Sequence, residues 1–194
     1  YLFSHSMGTL VARGYMQKHD NDIEKIILCG TPTKNPFTSF AITMAYLFKI
    51  IGMRKKPNKI LNYLTFNSYN KGYQFENEWL SKNPSNISIY NDDELCGFTF
   101  TTNGFINLYK LLKRAFNAKL YQVQNKNLEI FLIAGDNDPV IQNTKKFKQL
   151  EQFLNKIGYK NTQSKLYPDL RHEILNEKEY ENIYRDILNF IEGK

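Results

Sequence analysis

Apolar residues recur along this chain in two patterns, and the patterns take turns. Residues 24–29 and 128–134 contain nearly continuous apolar runs, closed by Gly30-Thr31-Pro32 and by Gly135-Asp136-Asn137-Asp138-Pro139. Runs of that length and closure fit strands buried on both faces of a parallel sheet. A shorter run at 163–167 ends at Pro168 and is a third strand candidate, and the apolar, aromatic residues 1–3 are a fourth. Between the runs, apolar positions fall at helical spacing over 9–16, over 143–157 ahead of Gly158, and over 178–191. Strand alternating with helix predicts an α/β fold whose parallel strands are joined by helical crossovers.

The alternation lapses between Gly30 and residue 126. Pro36, Pro57 and Pro84 punctuate a helical and irregular stretch that is too long to be one loop inside a compact domain. It is expected to be a helical cap inserted over residues 31–126, leaving 1–30 and 127–194 as the core. Its first helix, over 37–51, runs from Phe37 to Phe48 without a charge. Two readings fit that helix: burial between cap and core, or a lid that turns apolar side chains toward lipid or substrate.

Composition narrows the class. The 194 residues suffice to bury a core, and 42% hydrophobic against 23% charged residues, with a mean hydropathy of −0.51, describe a globular chain. No segment reaches the roughly 18 apolar residues of a membrane span, and no signal-peptide pattern follows Tyr1, so a cytoplasmic protein is expected. Cys29 and Cys96 are too few for a disulfide framework or a Cys-based zinc site, and neither a metal nor a cofactor is expected. The 26 basic and 19 acidic residues give a formal +7, carried by dispersed lysines with local pairs at Lys55-Lys56 and Lys145-Lys146. With no basic stripe interleaved with aromatics, nucleic acid is not an expected partner; transient contact with an anionic membrane surface is what the charge leaves.

Three short segments carry candidate chemistry. Ser4-His5-Ser6-Met7-Gly8 stands between a strand candidate and an amphipathic helix. It is a variant of the G-x-S-x-G elbow, which needs small residues on both sides because the strand-to-helix turn is so tight. Such a turn lifts the Ser6 hydroxyl clear of the sheet, at a helix N-terminus where the Met7 amide can stabilise an oxyanion. The second segment puts Asp138 just past the carboxyl end of a buried strand, where open α/β sheets place their sites; an Asx-rich turn explains the same residues. The third, Tyr167-Pro168-Asp169-Leu170-Arg171-His172-Glu173, puts His172 in a loop after the last strand. Of the other two histidines, His19 is at a helix end and His5 flanks the serine as a packed residue. The order Ser, Asp, His, each at a strand end, is the order of an α/β-hydrolase triad.

Those segments resemble the α/β-hydrolase superfamily, and within it the serine-aminopeptidase-like branch of monoacylglycerol lipases and lysophospholipases. Ser4-His5-Ser6-Met7-Gly8 is similar to that branch's G-H-S-M-G, Gly135 to Val140 to its G-x-x-D-P-V, and Tyr167 to Glu173 to its Y-P-G-x-R-H-E. Asn91-Asp92-Asp93-Glu94-Leu95-Cys96 resembles the N-D-P-L-C segment late in the cap. Ser4 and Asp169 stand where the branch has glycine. The resemblance implies Ser6 as nucleophile, His172 as base and Asp138, rather than Asp136, as the triad acid. It also implies that strands ahead of the elbow, with an H-G segment completing the oxyanion hole, are missing from this chain.

The function so implied is a cofactor-independent serine hydrolase acting on carboxylic esters, with monoacyl, lipid-like substrates suggested by the uncharged cap helix. Aminopeptidase-like activity on small substrates is a variant that would use Asp92, Asp93 and Glu94 to hold an amine. The reading from a different class is a catalytically inactive hydrolase fragment that serves as a binding or assembly module. Oligomeric state is left open.

Overall fold

A computed structural model describes residues 1–194 and places four parallel strands in one sheet, in the order β1 (Leu2–His5), β2 (Lys25–Cys29), β3 (Glu129–Gly135) and β4 (Asn161–Tyr167). The two continuous apolar runs are its central strands: every residue of β2 is buried, and so is all of β3 after Glu129. Alternation along them feeds two separate cores. Ile26, Leu28, Ile130 and Leu132 face one side, and Ile27, Cys29, Phe131 and Ile133 face the other.

Each face is covered by helices that bring apolar residues at helical spacing. On the first face, α1 (Met7–His19) contributes Ala12 and Met16, and the crossover helix that follows β3, Thr144–Ile157, contributes Phe147, Leu150 and Leu154. That crossover helix begins on Asn143, whose side chain accepts from the Lys146 amide, and ends at Gly158 in a positive-φ conformation. On the second face, the last helix, Tyr180–Glu192, supplies Ile183 and Phe190. The α/β layering read from the sequence is the observed one.

Four helices lie between β2 and β3: α2 (Thr38–Phe48), α3 (Lys59–Phe66), α4 (Pro84–Asp92) and α5 (Thr102–Ala115). Of these, α2, α3 and α5 enclose a small core of Ala45, Leu61, Phe105, Ile106 and Tyr109. The carboxyl end of α5 is tied to α1, where Arg13 Nη2 donates to the Ala115 carbonyl at 2.6 Å and Gln17 Nε2 to the Arg114 carbonyl at 2.9 Å. Cations and amide donors at a helix carboxyl terminus satisfy its free carbonyls and its dipole.

Three local expectations need correcting. The helix expected over 37–51 stops at Phe48 and continues as a wider turn, Lys49–Met53, because Gly52 takes φ 85. It is not buried between layers: only Thr38 and Ala45 of α2 are buried, while Phe37, Phe40 and Leu47 are exposed. The strand expected over 163–167 is longer and starts at Asn161. As an edge strand it buries one face only, so its polar half hides it from a search for apolar runs.

Candidate active site

The turn between β1 and α1 puts Ser6 at φ 53, ψ −127, a conformation that a residue with a Cβ rarely holds. It is pinned on both sides. The Ser6 amide donates to the Cys29 carbonyl at 2.9 Å, and the Thr9 hydroxyl lies 2.6 Å from the Ser6 carbonyl and 2.7 Å from the Thr31 hydroxyl. Ser4, where the elbow pattern asks for glycine, is buried and donates its hydroxyl to the Ile27 carbonyl at 3.3 Å, which satisfies the added polar group.

The structure brings Ser6, His172 and Asp138 together. His172 Nδ1 is 2.9 Å from Asp138 Oδ2 and His172 Nε2 is 2.8 Å from Ser6 Oγ. A carboxylate can only accept, so Nδ1 carries the proton and the bare Nε2 accepts from the serine hydroxyl. Asp138 and His172 are each 2% exposed, and Asp138 Oδ1 accepts from the Val140 amide at 2.8 Å. That bond caps the short turn Pro139–Ile141 and aims the second oxygen at the imidazole. Asp136 faces elsewhere and accepts from the Asp169 amide at 2.7 Å. Asp169 has φ 60, a left-handed conformation in which aspartate is among the few side chains tolerated, which accounts for its standing at a glycine position. Met7, the first residue of α1, sits beside Ser6 with its amide at the helix N-terminus.

Several residues around this trio were given no part in the site from the sequence. Gly30, at φ 56, packs so closely that a Cβ there would lie 3.0 Å from His172 Cε1 and 3.3 Å from Asp138 Oδ2. His5 is more than a packed neighbour: its Nε2 donates to the main-chain carbonyl of His172 at 3.1 Å, with the rings 4.6 Å apart. Burial lowers the pKa of His5, helped by the charge that His172 can carry. Trp79 packs between the His172 ring, 5.2 Å away, and the Tyr69 ring, 5.0 Å away. Burial first, and then the Asp138 carboxylate, push the Tyr69 phenol up to about 12. Burial also raises the thiol of Cys29 well above its ordinary value.

The His172 loop is stitched to the segment ahead of α4. Its amides at His172 and Glu173 donate to the carbonyls of Trp79, at 3.4 Å, and Leu80, at 2.7 Å. The buried carboxylate of Glu177 accepts from the Ser81 hydroxyl at 3.0 Å and from the Lys82 amide at 2.9 Å. Arg171 donates from Nη1 to the carbonyls of Glu78, at 2.5 Å, and Ser81, at 2.9 Å. No sequence motif marks this clamp, since its two halves lie about ninety residues apart in the chain.

Above Ser6 opens a cavity of about 1100 Å³, lined mostly by hydrophobic residues that include Met7, Leu10, Met44 and Phe66. Cys96 lines it too, but Asp92, Asp93 and Glu94 do not; these three are exposed, and Asp93 caps its own turn at the Leu95 amide. No three His, Cys, Asp or Glu side chains come together as metal ligands, and no helix is long and apolar enough to cross a membrane.

The family model described as serine aminopeptidase, S33 matches residues 1–179. The chain belongs to that family. Its α/β-hydrolase fold is shared with solved structures. A thermostable carboxyl esterase from Bacillus coagulans superposes with a TM-score of 0.88 at 24% identity, over 100% of this chain and 64% of that one. A monoglyceride lipase from Saccharomyces cerevisiae gives 0.68 at 18%, over 100% and 64%, and a monoacylglycerol lipase from Paleococcus ferrophilus gives 0.67 at 18%, over 97% and 66%. This chain of the S33 family therefore spans just under two thirds of the length of each. No curated protein matches it.

Proposed function

We propose that this S33-family protein is a serine hydrolase of carboxylic esters, in which Ser6 is the nucleophile, His172 the general base and acid, and Asp138 the group that orients and stabilises the imidazolium. The observation that carries the reading is the unbroken hydrogen-bonded chain from Ser6 Oγ through His172 to Asp138 Oδ2, at 2.8 and 2.9 Å, in a buried setting. A serine hydroxyl is a weak nucleophile until a base takes its proton. As Ser6 Oγ attacks the ester carbonyl, its proton passes to His172 Nε2, and Asp138 stabilises the resulting cation through Nδ1–H. The negative charge on the carbonyl oxygen develops at the N-terminus of α1, where the Met7 amide donates to it. Collapse of the tetrahedral intermediate expels the alcohol, which takes the proton back from Nε2. Water then repeats the sequence on the acyl-serine and releases the acid.

The cavity supports monoacyl, lipid-like esters as substrates, since its walls are mostly apolar and its volume of about 1100 Å³ has room for an extended acyl chain. Residues 31–126 would serve as the cap that encloses that chain. An aminopeptidase-like preference needs a carboxylate to hold a free amine; Glu76 is the single acidic residue lining the cavity, so amine binding has little support beside the apolar walls.

Hydrolysis of p-nitrophenyl esters of increasing acyl length by the complete protein tests the reading. Activity that rises from acetyl to longer chains and vanishes in Ser6→Ala is expected. Unchanged turnover in Ser6→Ala overturns the assignment, and a profile that falls steadily with chain length overturns the lipid-like preference.

A further inference from the structure

The lysines are dispersed along the chain but the acidic residues are not, so the net positive charge is concentrated. Residues 31–75 carry seven Lys and Arg side chains and no Asp or Glu, and the other 19 basic residues are balanced by the 19 acidic ones. The whole formal +7 therefore resides in residues 31–75, and five of those seven cations, Lys49, Arg54, Lys55, Lys56 and Lys59, lie between the start of α2 and the end of α3.

That stretch also exposes an unusual amount of apolar surface. On α2 and its continuation, Phe37, Phe40, Leu47 and Ile51 follow one another at helical spacing and are 71%, 65%, 54% and 70% exposed. Tyr63 and Leu64 on α3 are equally open, at 63% and 62%. Phe37, Phe40, Tyr63 and Leu64 are at the same time walls of the cavity above Ser6, so the apolar faces of both helices meet at its rim. The turn joining the helices carries Arg54, Lys55 and Lys56, all exposed, and Lys59 follows on the rim itself. Large apolar side chains held out in water beside cations, with no acidic residue among them, are the chemistry of a surface that inserts shallowly into lipid while its cations meet anionic headgroups.

We propose that α2, the turn 49–56 and α3 dock this protein on an anionic lipid bilayer, with the mouth of the Ser6 cavity facing the bilayer. The apolar side chains enter the headgroup boundary and the basic turn neutralises lipid phosphates. A monoacyl lipid could then pass from the bilayer into the cavity without crossing water. This delivery rests on the ester reading above, whereas the docking does not.

Flotation of the complete protein with vesicles of phosphatidylcholine, alone or mixed with phosphatidylglycerol, tests the docking. Binding is expected on the mixed vesicles, to weaken as salt rises, and to be weak on phosphatidylcholine alone. Replacing three cations that are not cavity walls, Arg54→Gln with Lys55→Gln and Lys56→Gln, is expected to cost about a hundredfold in affinity for the mixed vesicles. The pair Ile50→Ser and Ile51→Ser, also outside the cavity, is expected to release the protein from the same vesicles. Both variants should keep the parent's melting temperature and its turnover of a dissolved short-chain ester. Equal binding to the two vesicle types, unchanged affinity in the triple variant, or a concentration-dependent dimer that hides this face from vesicles would overturn the proposal. Ser6→Ala protein run in parallel separates the two readings. If it floats like the parent while the parent hydrolyses no ester, the docking stands alone; an active esterase that ignores anionic vesicles sinks the docking and leaves the ester reading intact.

Discussion

His5 donates from Nε2 to the main-chain carbonyl of His172, 3.1 Å away, so the residue just before the elbow serine holds the backbone of the residue that faces that serine. With the His172 amide pointing at the Trp79 carbonyl, both polar main-chain groups of His172 are engaged. Changing His5 to Phe keeps a ring against His172 and removes the donor. Turnover is expected to fall roughly fivefold to tenfold, the worth of one hydrogen bond, with KM little changed. Steady-state kinetics on a dissolved ester measures it; a rise in KM alone would mean that His5 acts on substrate binding instead.

The same residue gives a pH dependence of stability. Burial lowers the pKa of His5 in the folded protein below its ordinary 6.5. Between the two values the unfolded chain binds a proton that the folded chain resists, so stability rises with pH across that window and falls as the pH drops below about 6.5. His5→Phe should remove this part of the acid sensitivity. Denaturant midpoints for parent and variant on either side of that pH test it, and parallel losses in the two proteins would count against the assignment to His5.

Gly30 is a position at which one added methyl group should act directly on the chemistry. Its φ of 56 strains any side chain, and the added methyl of Gly30→Ala would press on His172 and Asp138 from 3.0 and 3.3 Å. Turnover is expected to drop on the order of a hundredfold from misplacement of the imidazole, with the strain costing about 1–2 kcal/mol of stability. Chemical denaturation beside kinetics separates the two, and a stable, fully active Gly30→Ala protein would contradict the packing described.

Glu177 is buried and takes donors from Ser81, from the Lys82 amide and, at 3.4 Å, from the Arg171 amide. Glu177→Ala leaves these groups without their acceptor and is expected to cost about 3 kcal/mol. Limited proteolysis should then cut near residues 78–83 before the rest of the chain is attacked. Retained stability together with resistance at that segment would mean that Arg171 and the main-chain bonds to Trp79 and Leu80 hold the clamp without Glu177.

How much of this was legible in the sequence depends on how local each signal is. The central strands announce themselves because burial on both faces demands continuous apolar runs, as at 26–28 and 130–134. Ser6, Asp138 and His172 each stand in a short motif at a strand end, so their candidacy needs no knowledge of the rest of the chain. Asn161 and Thr162 escaped because an edge strand buries alternate residues only. Trp79, Glu177 and His5 escaped for another reason: their roles come from contacts 93 to 167 residues apart in sequence, which no local pattern encodes. The exposure of Phe37 and Phe40 is likewise a property of packing, since an uncharged helix reads the same whether it faces a core or a bilayer.

The central claim is that Ser6, activated by His172, forms a covalent acyl intermediate. The most direct measurement is reaction of the complete protein with a fluorophosphonate, followed by mass spectrometry of its peptides. The account predicts one adduct, on the peptide containing Ser6, that is absent in Ser6→Ala and forms far more slowly in His172→Ala. Absence of any adduct on the folded parent protein, or labelling that persists unchanged in Ser6→Ala, would contradict it.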